Sequence, residues 1–300
     1  MSESFYTDKH AVKLAFDRAA GSYDAAAVLQ REVADRMAER LDYIKLVPGR
    51  ILDAGSGTGY ASPMLRARYP EAQLVELDLA PAMLALSRDK GSGRGVRKWL
   101  NLFERHKPFH VCGDIERLPL ADESVDLVWS NLTLQWCNTP DAALAECHRV
   151  LRPGGLLMFS TLGPDTLKEL RAAFEGVDRH SHVNRFIDMH DVGDALGRAG
   201  LTTPVMDMEL ITMTYPDARS VMRDLKAIGA HNVTEGRPEG MMGKRAWRKV
   251  VEQYERFRHA GELPCTYEVV YGHAWKPENR ANARLPDGSQ VIEFRRRPGT

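Results

Sequence analysis

The chain has 300 residues, of which 43% are apolar and 27% are charged. This composition is typical of a folded globular protein and excludes a largely disordered one. Lysine and arginine together number 41, as do aspartate and glutamate, so the formal net charge is zero. Such a balance disfavours a protein that binds nucleic acid over its whole surface, although it allows a local basic patch.

Three features of the sequence favour a cytoplasmic protein. No apolar run approaches the roughly 18 residues of a membrane span. Residues 1–13 are polar and lack the apolar stretch of a secretion signal. The four cysteines form no CxxC pair, which favours reduced thiols over a disulfide framework or a zinc cluster. We therefore expect no membrane partner and no bound metal.

Strands alternate with helices through the first half of the chain. Apolar residues at helical spacing predict a helix near residues 28–41. The predicted strands that follow are 50–54, 73–79, 111–114, 124–130 and 156–161. Helices are predicted up to residue 69, from residue 81, and over 141–151, the last stopped by residues 153–155 (Pro-Gly-Gly). This alternation predicts a parallel sheet with helices on both faces.

The pattern changes after residue 161. The predicted helices there are 166–174, 190–199, 220–228 and 244–258, and the predicted strands are 204–215 and 266–275. A basic, glycine-containing stretch at 90–110 interrupts the earlier alternation, and we interpret it as a surface insertion.

A glycine-rich loop at residues 53–59 (DAGSGTG) joins the first predicted strand to a helix. Glycine permits a tight turn and close approach of backbone to a ligand. Tyr60 stands where a dinucleotide-binding loop has its third glycine, and Asp78 ends the next predicted strand, where a carboxylate can accept both hydroxyls of a ribose. The motif favours a nucleoside ligand without a pyrophosphate. An ordinary strand-to-helix turn is the alternative.

Several segments of the chain resemble the class I S-adenosylmethionine-dependent methyltransferases. The resemblance covers about residues 45–162, and its segments are 53–59, 77–84 (LDLAPAML), 113–115 (GDI), 118–119 (LP) and 149–155 (RVLRPGG). It implies an α/β, Rossmann-like fold with a mostly parallel seven-stranded sheet, helices on both faces and a helical lid inserted in the C-terminal half.

The same resemblance implies S-adenosylmethionine as the methyl-donor cosubstrate. The residues that it assigns to this ligand are Asp53, Gly55, Gly57, Gly59, Asp78, Leu79, Asp114, Ile115 and Asn131. Asp114 would accept a hydrogen bond from the adenine amine, with a turn-capping aspartate as the alternative.

A second set of segments resembles the malonyl-acyl-carrier-protein O-methyltransferase family of biotin synthesis over about residues 10–277. These segments are 16–20 (FDRAA), 22–24 (SYD), 131–136 (NLTLQW), 159–164 (FSTLGP), 182–186 (HVNRF), 224–230 (DLKAIGA) and 266–272 (TYEVVYG). The family's reaction methylates the free carboxylate of a malonyl thioester, carried by acyl carrier protein or coenzyme A, to the ester that primes pimeloyl formation. The implied organisation is a helical cap (1–44), a cofactor-binding core (45–162), the rest of the sheet with a helical substrate lid (163–277) and a polar tail (278–300).

A carboxylate acceptor sets modest chemical demands. With a pKa near 4 it is ionised at pH 7, so no general base is required, and the sequence offers no recognisable Ser-His-Asp or Cys-His arrangement. Catalysis would come from orientation, for which the candidates are Tyr23, Gln135 and Arg185, with Arg185 as the cationic anchor. Trp136 is expected to line the substrate site. His182 is a further substrate-site candidate, with a structural histidine slightly preferred. Packing is the alternative for Tyr23 and Trp136, and a surface or structural arginine is the alternative for Arg185.

A basic segment at 237–258 is the expected docking surface for an acidic carrier protein that bears malonyl-phosphopantetheine. It holds seven basic residues against three acidic ones, and the docking candidates among them are Arg237, Lys244, Arg245, Arg248 and Lys249. The alternative for each is a solvated helix face.

Four other functions compete with this interpretation. They are another small-molecule methyltransferase, a non-catalytic cofactor-binding regulator, a nucleotide-dependent oxidoreductase and a nucleic-acid methyltransferase. Tyr60 counts against the oxidoreductase. Net neutrality and the sequence Asn-Leu-Thr at 131–133 count against the nucleic-acid methyltransferase.

Overall fold

Seven strands form a single sheet in the computed structural model, which describes residues 7–91, 107–178, 180, 182–230 and 242–278. The strands are β1 (Arg50–Ala54), β2 (Gln73–Asp78), β3 (Phe109–Cys112), β4 (Val125–Ser130), β5 (Leu151–Leu162), β6 (Thr202–Tyr215) and β7 (Leu263–Trp275). Their order across the sheet is β3-β2-β1-β4-β5-β7-β6. Strands β1 to β5 pair in parallel, and β7 runs antiparallel to both β5 and β6. The predicted mostly parallel, seven-stranded sheet is confirmed.

Helices cover both faces of this sheet. They are α1 (Lys9–Ala26), α2 (Val28–Arg40), α3 (Ala61–Arg68), α4 (Pro81–Gly91), α5 (Pro140–Val150), α6 (Lys168–Phe174), α7 (Met189–Arg198), α8 (Ala218–Ala227) and α9 (Lys244–Tyr254). Helices α6 to α9 and strand β6 lie between β5 and β7 in the chain, as the predicted insertion in the C-terminal half requires. None of the described helices is both long and apolar enough to span a membrane.

Two hydrophobic clusters form the core because neighbouring residues of a strand face opposite sides of the sheet. Ile51 and Leu127 contribute to one cluster, together with α2, α3, α6, α8 and α9. Their neighbours Leu52 and Val128 contribute to the other, together with α5 and α7. The parallel strands therefore deliver their carboxyl ends to one edge, where open α/β sheets bind ligands.

Two of the boundaries that differ from the prediction have a clear physical reason. Helix α5 ends at Val150, before Pro153, and β5 begins at Leu151 and runs through the Pro-Gly-Gly segment, whereas the strand was predicted to begin at residue 156. Gly154 takes φ +78° there, and its N–H donates to the carbonyl of Lys276 at 2.9 Å, so pairing beyond β7 keeps the segment extended. Helix α9 likewise stops at Tyr254, and a short 3₁₀ turn (Glu255–Phe257) follows it.

Other predicted features fall partly outside the described residues. Most of the predicted insertion at 90–110 does so, although its last two residues, Phe109 and His110, belong to β3 and not to an insertion. Arg237 and the predicted tail beyond residue 278 also lie outside the described part of the chain.

Candidate active site

The glycine-rich loop leaves β1 with three residues in the left-handed region. Gly55, Gly57 and Gly59 have φ values of +86°, +54° and +78°. A Cβ atom on Gly55 would lie 2.0 Å from Thr133 Oγ1, and one on Gly59 would lie 2.1 Å from Ser87 Oγ. Beside Gly57, in contrast, the nearest atom to such a Cβ is 3.9 Å away. Gly55 and Gly59 are therefore required by packing, whereas Gly57 borders open space.

Asp78 ends β2 directly below this loop. One of its carboxylate oxygens accepts the Gly57 N–H at 2.8 Å, and the other accepts the Ala80 N–H at 2.8 Å. Burial raises the pKa of Asp78 to about 6, against the opposing effect of these backbone hydrogen bonds. Because each carboxylate oxygen has further lone-pair capacity, Asp78 can still accept hydroxyl groups from a ligand.

Asp53, the last-but-one residue of β1, is 2% exposed, and its Oδ2 has no hydrogen-bond partner in the described structure. Burial raises the pKa of this carboxyl well above its ordinary range, and the charges of Glu76 and Asp78 act in the same direction. Asp53 lines a small cavity of about 50 Å³ together with Arg31 and Asn131. A buried oxygen without a partner indicates a donor that arrives with a ligand.

A second small cavity, of about 80 Å³, continues past Asp78 to Leu79, Asp114 and Ile115. The Asp114 carboxylate accepts the Glu116 N–H at 3.0 Å, which is the turn-capping contact considered as the alternative in the sequence analysis. The same oxygen accepts a hydrogen bond from Lys9 Nζ of α1 at 3.0 Å. Sequence reasoning missed Lys9, because an isolated lysine near the start of the chain carries no local signal. We call these two small cavities together the donor cleft.

A larger cavity of about 870 Å³, here called the acceptor cavity, adjoins the donor cleft. Five residues line both spaces. Four of them, Phe16, Tyr23, Leu132 and Trp136, border the larger part of the donor cleft, and Gln30 borders its smaller part. Phe16 packs edge to face on Trp136 with ring centroids 5.2 Å apart, and on Tyr23 at 6.5 Å. The two spaces therefore meet along an aromatic wall.

Tyr23 stands at the centre of the site, lining the acceptor cavity and both parts of the donor cleft. Burial raises the pKa of its phenol, with Asp78 and Asp24 acting in the same direction, so the hydroxyl stays a donor. Helix α1 is fastened over the core on either side of it. Asp17 accepts the Ala82 N–H at 3.0 Å, and Asp24 forms an ion pair with Lys90 at 2.6 Å.

Asn131 and Gln135 follow β4 at the ligand-binding edge. The Asn131 amide donates to the Gln30 carbonyl at 2.9 Å, and its oxygen accepts from Ser160 Oγ at 2.8 Å. Asn131 therefore ties β4 to α2 and β5. The Gln135 amide donates to the Leu132 carbonyl at 2.7 Å. Since an amide nitrogen carries two N–H groups, Gln135 keeps one donor for the acceptor cavity that it lines.

His182 also lines the acceptor cavity. Its Nε2 lies 2.9 Å from Asp178 Oδ1, and its ring stacks on Phe174 with a centroid distance of 4.1 Å. These contacts match the structural histidine preferred in the sequence analysis.

Arg185 is placed differently from the sequence expectation. It is exposed and lines a neighbouring cavity of about 900 Å³ beside Lys168 and Arg171, not the acceptor cavity. The reason is that Val183 is buried and Phe186 packs against the core, so apolar side chains take the inward positions of this segment. Arg185 is therefore not placed to anchor a carboxylate inside the acceptor cavity.

Helix α9 displays the predicted basic surface. Four of the docking candidates are exposed on it, namely Lys244, Arg245, Arg248 and Lys249. Val250 and Tyr254 fix the helix in the core, where it packs against α6. None of the four lines the acceptor cavity. Within the described residues, no group of three or more His, Cys, Asp or Glu side chains could hold a metal ion.

The amino-acid sequence is similar to that of a known domain family and to those of several named proteins. A family model described as a methyltransferase domain matches residues 52–159. A protein of Laribacter hongkongensis is 64% identical over 294 residues, covering 98% of both chains. A protein of Gallionella capsiferriformans is 58% identical over 289 residues, covering 96% of this chain and 97% of the relative. Both relatives are named malonyl-[acyl-carrier protein] O-methyltransferase.

Solved structures with little sequence identity share the fold. The YcgJ protein of Bacillus subtilis matches with a TM-score of 0.58 at 13% identity, over 83% of this chain and 99% of that one. The [4+2]-cyclase SpnF matches with a TM-score of 0.51 at 22% identity, over 83% of this chain and 81% of its own. Because a cyclase shares the fold, the fold does not by itself decide the reaction.

Proposed function

This chain belongs to the malonyl-[acyl-carrier protein] O-methyltransferase family, and we propose that it methylates the free carboxylate of a malonyl thioester with S-adenosylmethionine as donor. The product is the methyl ester that primes pimeloyl formation in biotin synthesis. The observation that carries the proposal is the aromatic wall, because it joins the donor cleft, with its glycine-rich loop and Asp78, to the larger acceptor cavity. Methyl transfer requires donor and acceptor to meet in this way.

The donor cleft fits S-adenosylmethionine, which supplies a methyl group on positively charged sulfur. The unpartnered oxygen of Asp53 suits the donor's ammonium group, and the open space beside Gly57 suits its close approach to backbone. Asp78 would hold the ribose, and Leu79, Asp114 and Ile115 would border the adenine. Gly55, Gly59 and Asn131 would hold the loop and the end of β4 in place around it.

The acceptor cavity suits a substrate that is already charged. No Asp or Glu is among the described residues that line it, so no side-chain carboxylate competes with or repels the malonyl group. The malonyl carboxylate is ionised near neutral pH and needs no base. Its oxygen forms the new bond to the methyl carbon as that carbon's bond to sulfur breaks, and no proton moves.

Neutral donors are the best candidates to orient that carboxylate. Tyr23 and Gln135, which keeps one N–H unengaged by the Leu132 carbonyl, line the acceptor cavity, as do Trp136 and His182. Neutral donors do not cancel the negative charge of the attacking oxygen, so that charge is attracted to the positive sulfur of the methyl donor. A cavity without water strengthens this attraction. Alignment of this kind can lower a barrier by on the order of 7–11 kcal/mol.

The carrier protein would dock on α9. Lys244, Arg245, Arg248 and Lys249 present a positive surface, and α9 packs on α6, whose Leu170 and Phe174 line the acceptor cavity. A basic surface beside the substrate site would steer an acidic carrier towards it. Arg237 is part of the same proposal, although it lies outside the described residues.

Mass spectrometry of carrier and coenzyme A thioesters tests the function directly. The protein is incubated with S-adenosylmethionine and either malonyl-carrier protein or malonyl-coenzyme A. We expect the malonyl group to gain the mass of one CH₂ unit on at least one of them. Acetyl thioesters are the matched control, because they lack the free carboxylate and should gain nothing. Absence of a methyl ester on both malonyl substrates contradicts the proposal.

A further inference from the structure

The opening of the acceptor cavity lies between two helices. Only five of its described lining residues are exposed, and all five belong to α1 or α8. They are Arg18, Ser22, Met222, Arg223 and Lys226. The other lining residues are buried or partly buried. A substrate therefore reaches the cavity past these five residues, which we call the mouth.

The two helices hold the mouth in a fixed shape. Ser22 Oγ donates to the Ala227 carbonyl at 2.9 Å, which links the end of α1 to the end of α8. Gly229 follows α8 with φ +74°, and a Cβ atom there would lie only 3.2 Å from Phe16 Cδ1. The absence of a side chain lets α1 and the end of α8 approach closely, so the mouth is built on packed helices and not on a loop.

The mouth carries positive charge. Three of its five residues are cations, and none of the three forms an ion pair within the described residues. Asp217, the residue that caps the start of α8, interacts with Arg223 electrostatically but does not form an ion pair with it. The carboxylates within the two helices are engaged elsewhere. Asp17 accepts a backbone N–H, Asp24 pairs with Lys90, and Asp224 accepts the Tyr215 hydroxyl at 2.6 Å.

The cationic rim and the apolar interior together indicate the chemistry of a ligand that would fit both. Leu132, Leu162, Leu170 and Ile228 are among the apolar lining residues inside the mouth. A ligand that fits both parts has an anionic group at one end of a long, weakly polar chain. Guanidinium groups bind phosphate and carboxylate through paired hydrogen bonds. Because the malonyl carboxylate has to reach the aromatic wall inside, the group left at the rim is a phosphate further along the chain of the ligand.

We propose that Arg18, Arg223 and Lys226 bind the phosphate of the pantetheine arm, while the arm passes between α1 and α8 and delivers the malonyl thioester to the aromatic wall. The proposal rests on the proposed function, because only a thioester substrate brings such an arm. Carrier-bound and coenzyme A thioesters share this phosphate. The mouth would therefore act on both, unlike α9, which would act on the carrier protein alone.

Charge reversal on one helix tests the assignment. Arg223→Glu changes a mouth residue, and Arg219→Glu makes the same charge change on an exposed residue of α8 that does not line the cavity. Each variant is assayed on malonyl-carrier protein, on malonyl-coenzyme A and on malonyl-N-acetylcysteamine, which has the thioester and carboxylate but no phosphate. Thermal melting checks that both variants fold.

We expect Arg223→Glu to raise the KM for both phosphate-bearing substrates by about tenfold or more, as loss of a charge-assisted hydrogen bond implies. The truncated thioester should be turned over as by the unaltered protein, and Arg219→Glu should change all three values by less than about twofold. Arg223→Lys should recover part of the loss.

Three outcomes would overturn the phosphate assignment. If Arg223→Glu lowers turnover of the truncated thioester equally, Arg223 binds the malonyl carboxylate or stabilises the helix packing, and not the phosphate. A loss on the carrier-bound substrate alone places it at the carrier surface. If the KM values of both phosphate-bearing substrates are unchanged, the mouth does not bind the phosphate. Calorimetric titration with coenzyme A alone keeps this test separate from the reaction, because wild-type binding that Arg223→Glu abolishes would support the mouth even if no methyl ester formed.

Discussion

Phe16 and Trp136 meet edge to face, with their ring centroids 5.2 Å apart, at the boundary between the donor cleft and the acceptor cavity. One ring comes from the N-terminal helix and the other from the 3₁₀ turn that follows β4. The contact therefore joins two segments that are distant in the chain at the place where the two spaces meet.

Truncation of Trp136 should impair the chemical step more than donor binding. Trp136→Ala removes one side of the wall and lets the acceptor shift, and a displacement of about 1 Å can cost on the order of 100-fold in rate. We expect kcat on malonyl-coenzyme A to fall about 10- to 100-fold, whereas Trp136→Phe should retain most of it. Calorimetry with S-adenosylhomocysteine provides the control. An unchanged kcat in the alanine variant would contradict a role for the wall in alignment.

Removal of the Tyr23 hydroxyl should lower kcat while the fold is preserved. Tyr23→Phe keeps the ring that contacts Phe16 but deletes the donor, and a hydrogen bond to a charged group contributes about 1.5–3 kcal/mol. A loss of about 10- to 100-fold is therefore expected in single-turnover assays. Because the pKa of this phenol is raised, the wild-type rate should not fall through ordinary tyrosine ionisation near pH 10. A Tyr23→Phe variant with full activity would rule out the hydroxyl.

Donor affinity should weaken in acid. In the proposed site the ionised form of Asp78 would accept ribose hydroxyls, and burial raises the pKa of this carboxyl to about 6 in the free protein. Binding below that pH must first remove a proton, so the Kd for S-adenosylhomocysteine should rise as pH falls through 6, by up to about tenfold per pH unit. The raised pKa of Asp53 acts in the same direction. Calorimetry from about pH 8 to about pH 5 measures the slope, and a flat profile would exclude this linkage.

The three loop glycines should respond differently to alanine. Gly55→Ala places a methyl group against Thr133 and should lower the free energy of unfolding by about 2–4 kcal/mol. Gly57→Ala has room and should cost only the backbone strain of about 1–2 kcal/mol, yet its methyl group enters the donor cleft. We expect Gly57→Ala to fold and to bind S-adenosylhomocysteine at least about tenfold more weakly. Denaturant melts and calorimetry together separate the two effects, and normal affinity in Gly57→Ala would place the donor elsewhere.

The α9 surface should matter only for the carrier-bound substrate. Reversal of Arg245 and Arg248 to glutamate should lower kcat/KM for malonyl-carrier protein about tenfold or more at low salt, and less at high salt because ions screen the attraction. Turnover of malonyl-coenzyme A should be nearly unchanged. The control reverses Lys45 and Lys107, two exposed cations that precede β1 and β3. Equal losses on both substrates would argue against carrier docking on this helix.

The parts of the site that sequence reasoning reached are those encoded within short stretches of chain. The strand, the glycine-rich loop and Asp78 follow from local patterns, because turn geometry and strand burial are local properties. The wall and the mouth could not be found in this way. Phe16 of α1 meets Trp136 of the turn after β4, and Arg18 shares an opening with Arg223 because α1 packs against α8. Both contacts join segments that are distant in the chain.

At Arg185 and at the start of β5, the local sequence did not predict the observed structure. The segment around Arg185 has no regular periodicity, so nothing in the sequence decided which of its side chains faces inward, and Val183 and Phe186 took those positions. For β5, proline and two glycines favoured a loop by local propensity, but pairing with the far end of the chain overrode that preference.

Helix α1 contributes Lys9 beside Asp114 in the donor cleft, Phe16 and Tyr23 to the wall, and Arg18 to the mouth. Lys9 and Arg18 are separated by fewer than three turns of helix, at about 3.6 residues per turn. All seven strands lie downstream of it. A protein shortened at its N-terminus so that α1 is lost would thus keep every strand and the glycine-rich loop. It would lack Phe16 and Tyr23, so the donor cleft and the acceptor cavity would merge into one open space.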